Sequence, residues 1–171
     1  MATPQPQRSD HSPGDEELAE RLAGLAGERL VLLNDRGSID HLAVTPRGVF
    51  VIGAKLHDGA VERRRFGSIL RSDVRLYVGG CDRTKLLEGV DDRVDLVRGA
   101  LTAAGFSDAP VRGVLCFIGA EWGRSASPFK LGDVLVTYPR FLYRVLSKEA
   151  GVATSTIQDA ACALAIAFPS A

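Results

Sequence analysis

The order of hydrophobic patterns predicts an α/β (α+β) domain, a central mixed β-sheet flanked by helices. Three features carry that expectation. An amphipathic helix opens the chain after a polar leader. Two β-rich runs, Ile39 to Val44 and Val49 to Ala54, are joined by Thr45-Pro46-Arg47-Gly48. A later run, Val111 to Ile118, is almost wholly apolar, as a central strand buried on both faces would be. The 171 residues suit one domain with a sizeable core. Residues 1–12 are polar and Pro-containing and are expected to be disordered; residues 13–171 are expected to form a single domain without internal repeats.

Each element has its own signals. Ser12 suits an N-cap, Pro13 the first helical position, and Asp15 follows three residues after the cap. Leu18, Leu22 and Leu25 recur at helical spacing, which leaves Glu16, Glu17 and Glu20 off the stripe, and Gly27 is the expected stop. Leu30 to Leu33 is a short apolar strand. Thr45-Pro46-Arg47-Gly48 matches a type I turn, Pro second and Gly fourth. Ala60 to Phe66 and Ile69 to Val78 form another strand pair. A long helix is expected from Arg83 to Ala104, capped by Asp82 and stopped by Gly105, with Leu86, Val90, Val94, Val97 and Leu101 as its buried stripe. Asp133 to Val136 reads as a strand and Pro139 to Leu146 as a helix. Ser155-x-x-Gln158 is a capping box for a last helix that buries Ile157, Ala161 and Leu164.

Composition excludes several classes. Lysines and arginines number 21 and so do acids, so bulk charge gives no attraction to nucleic acid and any basic footprint must be local. Cys81, Cys116 and Cys162 form no CxxC pair, which argues against structural zinc and against a disulfide framework; Cys116 and Cys162 lie in apolar runs and are expected in the core. No apolar stretch approaches the roughly 20 residues of a membrane span. Without an apolar signal core at its start, the chain is expected in the cytoplasm.

The hairpin is where the sequence speaks of chemistry. A two-residue turn fixes register. Pairing Thr45 with Gly48 sets Val44 against Val49, Leu42 against Val51 and Asp40 against Gly53. Side chains alternate along a strand, so Asp40, Leu42, Val44, Val49, Val51, Gly53 and Lys55 share one face. Directly opposed Cβ atoms lie about 4.5–5.5 Å apart. An acid at position 53 would therefore complete a carboxylate pair able to hold one Mg²⁺ or Mn²⁺, and Lys55 would orient or deprotonate an attacking water. Such a metal–lysine apparatus suits phosphodiester hydrolysis. Glycine stands there instead.

Ile39-Asp40-His41-Leu42-Ala43-Val44, Gly48-Val49-Phe50-Val51-Ile52 and Ala54-Lys55 resemble the core signature of the nuclease-related (NERD) domain, a branch of the PD-(D/E)xK, restriction-endonuclease-like fold. Gly80-Cys81-Asp82-Arg83-Thr84-Lys85-Leu86, Gly113-Val114-Leu115-Cys116-Phe117 with Trp122, and Pro139-Arg140-Leu142 extend the likeness to actinobacterial-type versions, over about Gly14 to Pro169. The resemblance implies that Asp40 is the metal-binding aspartate, Lys55 the catalytic lysine, and Glu16 or Glu17 the acid of the first helix, with Glu16 favoured. It implies a PD-(D/E)xK core, and Mg²⁺ or Mn²⁺ if the site is active. Two positions depart from the family pattern: Gly53 replaces an Asp or Glu, and Arg93 occupies the place of a Gln on the long helix. The expected protein is a degenerate nuclease with hydrolysis lost or weakened, Asp58, Glu62 or Asp35 being acids that can migrate into the gap.

The remaining candidates have plain structural alternatives. Asp40 alone would serve as a strand-end residue and Lys55 as a solvated lysine. His41 points to the other face and suits a hydrogen-bonded structural role; His57 reads as a loop residue close to Lys55. Between Glu62 and Lys85 seven arginines and lysines face three acids, a local +4. Arg63, Arg64 and Arg65, with Arg93, are candidates for contacting a DNA or RNA backbone; a charged edge strand guarded against pairing is the alternative. Trp122 and Tyr138 suit either base stacking or packing. A non-catalytic protein-interaction module or a DNA-binding module on the same fold would carry the same sequence features.

Overall fold

The computed structural model describes residues 13–124 and 127–170; the expected leader and the Ser12 cap lie outside them. Helix α1 (Pro13–Ala23) leads into strands β1 (Val31–Arg36), β2 (Ile39–Thr45) and β3 (Gly48–Leu56). A second hairpin follows, β4 (Val61–Ser68) and β5 (Arg71–Val78), then the two-residue strand β6 (Cys81–Asp82) and helix α2 (Lys85–Ala103). Strand β7 (Val111–Ile118), the pair β8 (Phe129–Leu131) and β9 (Val134–Thr137), and helices α3 (Pro139–Leu146) and α4 (Thr154–Ala167) complete the order.

Six strands make one mixed sheet in the order β1-β2-β3-β7-β9-β8. Strands β3, β7 and β9 run parallel, and the remaining pairs are antiparallel. β7 lies between β3 and β9, and its residues from Gly113 onward are buried, which is why its sequence shows no polar alternation. α2 and α4 cover one face: Val90, Val94, Val97, Leu101, Ile157 and Leu164 join Leu42, Val44, Val49 and Val51 in one cluster. α1 and α3 cover the other, with Leu18, Leu22, Leu142 and Leu146 against Ala43, Phe50, Ile52 and Ala54. The alternating halves of β2 and β3 therefore enter different cores, and that alternation also sorts the functional side chains.

Close approach requires glycine at positions 48 and 113, which pack the sheet. Gly48 has φ +116°, and a Cβ on it would lie 2.3 Å from the Pro110 carbonyl oxygen. Gly113 sits beneath α2, where a Cβ would lie 2.8 Å from Val90 Cγ1 and 3.2 Å from Val94 Cγ2. The smaller sheet, β4-β5-β6, is anchored at its base by Val61, Leu76 and Val78, which join the α2-side core. Its far end projects away from that core, leaving Ile69 and Leu70 at its turn fully exposed.

Several expectations are corrected. α1 ends at Ala23, not Gly27, as Gly24 breaks the pattern; Leu25 and Ala26 donate tight bonds to the carbonyls of Leu22 and Ala23. Leu87, not Leu86, belongs to the fully buried stripe of α2. Asp82 stands in β6 and accepts hydrogen bonds from the Thr84 N–H and hydroxyl, and the cap position itself is Thr84. The Ser155 capping box does not form: α4 starts after Ala153 without a side-chain cap, and Gln158 donates instead to the Glu28 carbonyl. Cys162 is exposed, whereas Cys116 is buried and its thiol is pushed up to about 12 by desolvation. Strand β8, absent from the sequence expectation, forms a tight antiparallel hairpin with β9 across Gly132-Asp133.

Candidate functional site

The pairing of β2 with β3 runs from Thr45↔Gly48 to His41↔Ile52, and the next step of the same register sets Asp40 opposite Gly53. The expected shared face is the one covered by α2. A Cβ placed on Gly53 would meet Val90 Cγ2 at 3.4 Å, Leu115 Cδ1 at 3.7 Å and Arg93 Nη1 at 4.0 Å. Arg93 follows Val90 by one helical turn, so the residue that buries α2 on the sheet also directs the guanidinium to the strand end. There Arg93 Nη1 lies 3.4 Å from Asp40 Oδ2, with both side chains about 30% exposed (30% and 28%). The Asp40 Oδ2 atom is buried and makes no hydrogen bond, so the contact is an ion pair without hydrogen-bond geometry.

This arrangement does not fit a hard dication. Mg²⁺ and Mn²⁺ need several oxygen ligands, and the site offers one carboxylate, a glycine where the second would stand, and a guanidinium in the gap between them. Bringing a dication to Asp40 means evicting or repelling Arg93. Among the described residues no three His, Cys, Asp or Glu side chains gather as a metal-holding group. Glu62 is held by Arg64 at 2.5 Å, while Asp58 and Asp35 are exposed.

Cations dominate the surroundings. Lys55 is half-buried at the end of β3. The His57 imidazole, its ring 5.9 Å from that of Phe117, is lowered in pKa by burial first and then by Arg83 and Lys55, with Asp58 opposing. Arg83 Nε is buried without a hydrogen-bond partner. Lys55, Arg83 and Arg93 thus set more positive than negative charge around this end of the strands.

The other candidates scatter. Glu16 is exposed, and the acid that α1 turns inward is Asp15, 3.7 Å from His41 Nε2. His41 Nδ1 lies 3.0 Å from Asn34 Oδ1. Asp15 and His41 are buried and Asn34 half-buried, and the three lie on the face opposite Asp40. Asp15 was missed, although its spacing of three from Leu18 carries the signal. Arg64 is tied to Glu62 and stacks over Tyr77 at 4.3 Å; Arg63 lies 5.6 Å over Phe129, and Arg65 is exposed. Arg93, offered as a backbone contact, is engaged by Asp40. Trp122 and Tyr138 pack on each other at 5.2 Å, beside Phe129 and Phe141. Among the described residues no helix is long and apolar enough to cross a membrane.

The family model of the nuclease-related domain matches residues 13–118, from α1 through β7. It spans Asp40, Gly53, Lys55 and Arg93. No curated protein and no solved structure matches the chain.

Proposed function

The chain belongs to the nuclease-related domain family, and from that premise we propose that it is a nucleic-acid-binding member in which phosphodiester hydrolysis is lost or severely weakened. The observation that carries this reading is the Arg93–Asp40 ion pair at 3.4 Å, formed across the bare backbone of Gly53. A two-carboxylate metal site works by polarising a phosphoryl oxygen and generating a hydroxide nucleophile. Here the cation beside Asp40 is a guanidinium, which can neither bind a water for ionisation nor lose its own proton at neutral pH. On this reading Lys55 has no metal-bound water to deprotonate. What survives is the ability to bind: Lys55 and Arg83 at the strand end, and Arg63 and Arg65 on the smaller sheet, are cations suited to phosphate oxygens.

The test is a titration of labelled duplex DNA by fluorescence anisotropy across a range of salt. Binding through several phosphates makes affinity fall steeply with salt, with a log–log slope of about −0.9 per phosphate neutralised. A flat salt profile, or no binding at low salt, moves the protein to the interaction-module reading, in which the nuclease fold serves a protein partner.

A further inference from the structure

The β4–β5 hairpin ends in a turn of unusual composition. Ser68 pairs with Arg71, so the two-residue turn is Ile69-Leu70. Two-residue hairpin turns favour Asn, Asp and Gly; here two large aliphatic side chains stand 102% and 94% exposed. Nothing in the described fold covers them, and neither contributes to the core. Phe66, 44% exposed, lies just behind them.

The charges around this tip are sorted. The register and strand alternation place Glu62, Arg64, Phe66, Arg71, Asp73, Arg75 and Tyr77 on one face. There Arg64 is neutralised by Glu62, and Arg75 by Asp73 at 2.7 Å and Asp82 at 3.4 Å. Arg65 lies on the other face, paired across the strands with Val74. Among the described residues no acid forms an ion pair with Arg65 or Arg71. The unneutralised cations closest to the tip therefore point to opposite sides of the ribbon and straddle Ile69 and Leu70.

We propose that the β4–β5 hairpin is a DNA-binding arm that enters a groove of the duplex, with Arg65 and Arg71 on the phosphates of the two flanking strands and Ile69 and Leu70 as a wedge between base pairs. A two-stranded ribbon fits a duplex groove, and leucine and isoleucine are among the side chains that unstack base steps when inserted. The straddling charges favour a groove over a membrane. A groove has phosphates on both sides of an inserted ribbon, whereas a bilayer presents one anionic plane, which Asp73 would also approach. The inference rests on the reading that the chain binds nucleic acid.

The experiment compares the native chain with Ile69→Ser/Leu70→Ser, Arg65→Gln and Arg71→Gln. The first two side chains are fully exposed, so their replacement leaves the core intact. Anisotropy on a labelled duplex gives affinity and salt slope; 2-aminopurine within the same duplex reports unstacking. Native protein raises the 2-aminopurine emission. The double variant abolishes that rise and binds at least about tenfold more weakly with an unchanged salt slope, since burying even one aliphatic side chain is worth that much. Each arginine variant lowers the salt slope by about one. Native-like affinity and emission in the double variant overturn the wedge while leaving nucleic-acid binding in place. No duplex binding by the native chain at low salt removes the underlying reading itself. Binding to phosphatidylserine:phosphatidylcholine vesicles that depends on Ile69 and Leu70, with none to DNA, overturns the proposal in favour of a membrane arm.

Discussion

Arg93 Nη1 reaches to 3.4 Å from Asp40 Oδ2, and it passes 4.0 Å from where a Cβ on residue 53 would stand. Gly53 and Arg93 are therefore parts of one feature. Glycine at 53 leaves the space that the guanidinium uses, and the guanidinium supplies positive charge beside Asp40.

A first consequence concerns repair of the site. A carboxylate introduced by Gly53→Asp meets ordinary van der Waals contacts with Val90 and Leu115 but also faces Arg93. The single variant should gain little affinity for Mn²⁺ because the new acid pairs with the guanidinium. Gly53→Asp with Arg93→Gln should bind Mn²⁺ at least about tenfold more tightly than the native chain by titration calorimetry, a gain of about 1.4 kcal/mol or more. An equal gain in the single variant would mean that Arg93 is no barrier.

The pair also has a stability signature. It is partly exposed, so a double-mutant cycle with Asp40→Asn and Arg93→Gln should give a coupling of about 0.5–1 kcal/mol in urea unfolding, weakening with salt. A coupling indistinguishable from zero would show that the contact does not persist in solution.

His57 supplies a pH test. Its folded pKa is lowered from 6.5, mainly by burial and next by Arg83 and Lys55. Because the unfolded chain binds this proton more readily, the stabilisation is fully present above pH 6.5 and declines as pH falls through the lowered folded value. An NMR titration of the imidazole should give a midpoint below 6.5. Arg83→Gln should raise that midpoint, and by more than Lys55→Gln does. A native midpoint at or above 6.5 would contradict the cationic character assigned to the strand end.

Packing of α2 on the sheet, which aims Arg93, depends on Gly113. A Cβ there falls 2.8 Å from Val90 Cγ1, so Gly113→Ala should destabilise by about 1–3 kcal/mol through overpacking. Gly99, within α2 and with open space around its Cβ position, is the control: Gly99→Ala should stabilise by roughly 0.5–1 kcal/mol through helix propensity. Chemical denaturation of both variants checks the pair, and equal effects would refute the packing account.

These relationships divide by range. What rests on neighbouring residues was legible in the sequence. Pro46 and Gly48 set the hairpin register down to the pairing of His41 with Ile52, the unbroken apolar run of β7 announced a central strand, and the bounds of α3 were correct. Helical spacing already placed Glu16 off the stripe, and the fold turns it to solvent while Asp15 is buried. What rests on distant partners was not legible. Gln158 leaves its capping role for the Glu28 carbonyl, 130 residues away in sequence, and Arg93 meets Asp40 because α2 packs over the end of β3. Sequence marked Gly53 and Arg93 as two separate anomalies; their juncture required three dimensions.

The most direct test of the central claim is cleavage of single- and double-stranded DNA in Mg²⁺ or Mn²⁺ by the native chain, with Asp40→Ala beside it. Little or no cleavage is expected from either protein. Robust metal-dependent cleavage by the native chain, abolished by Asp40→Ala, would contradict it.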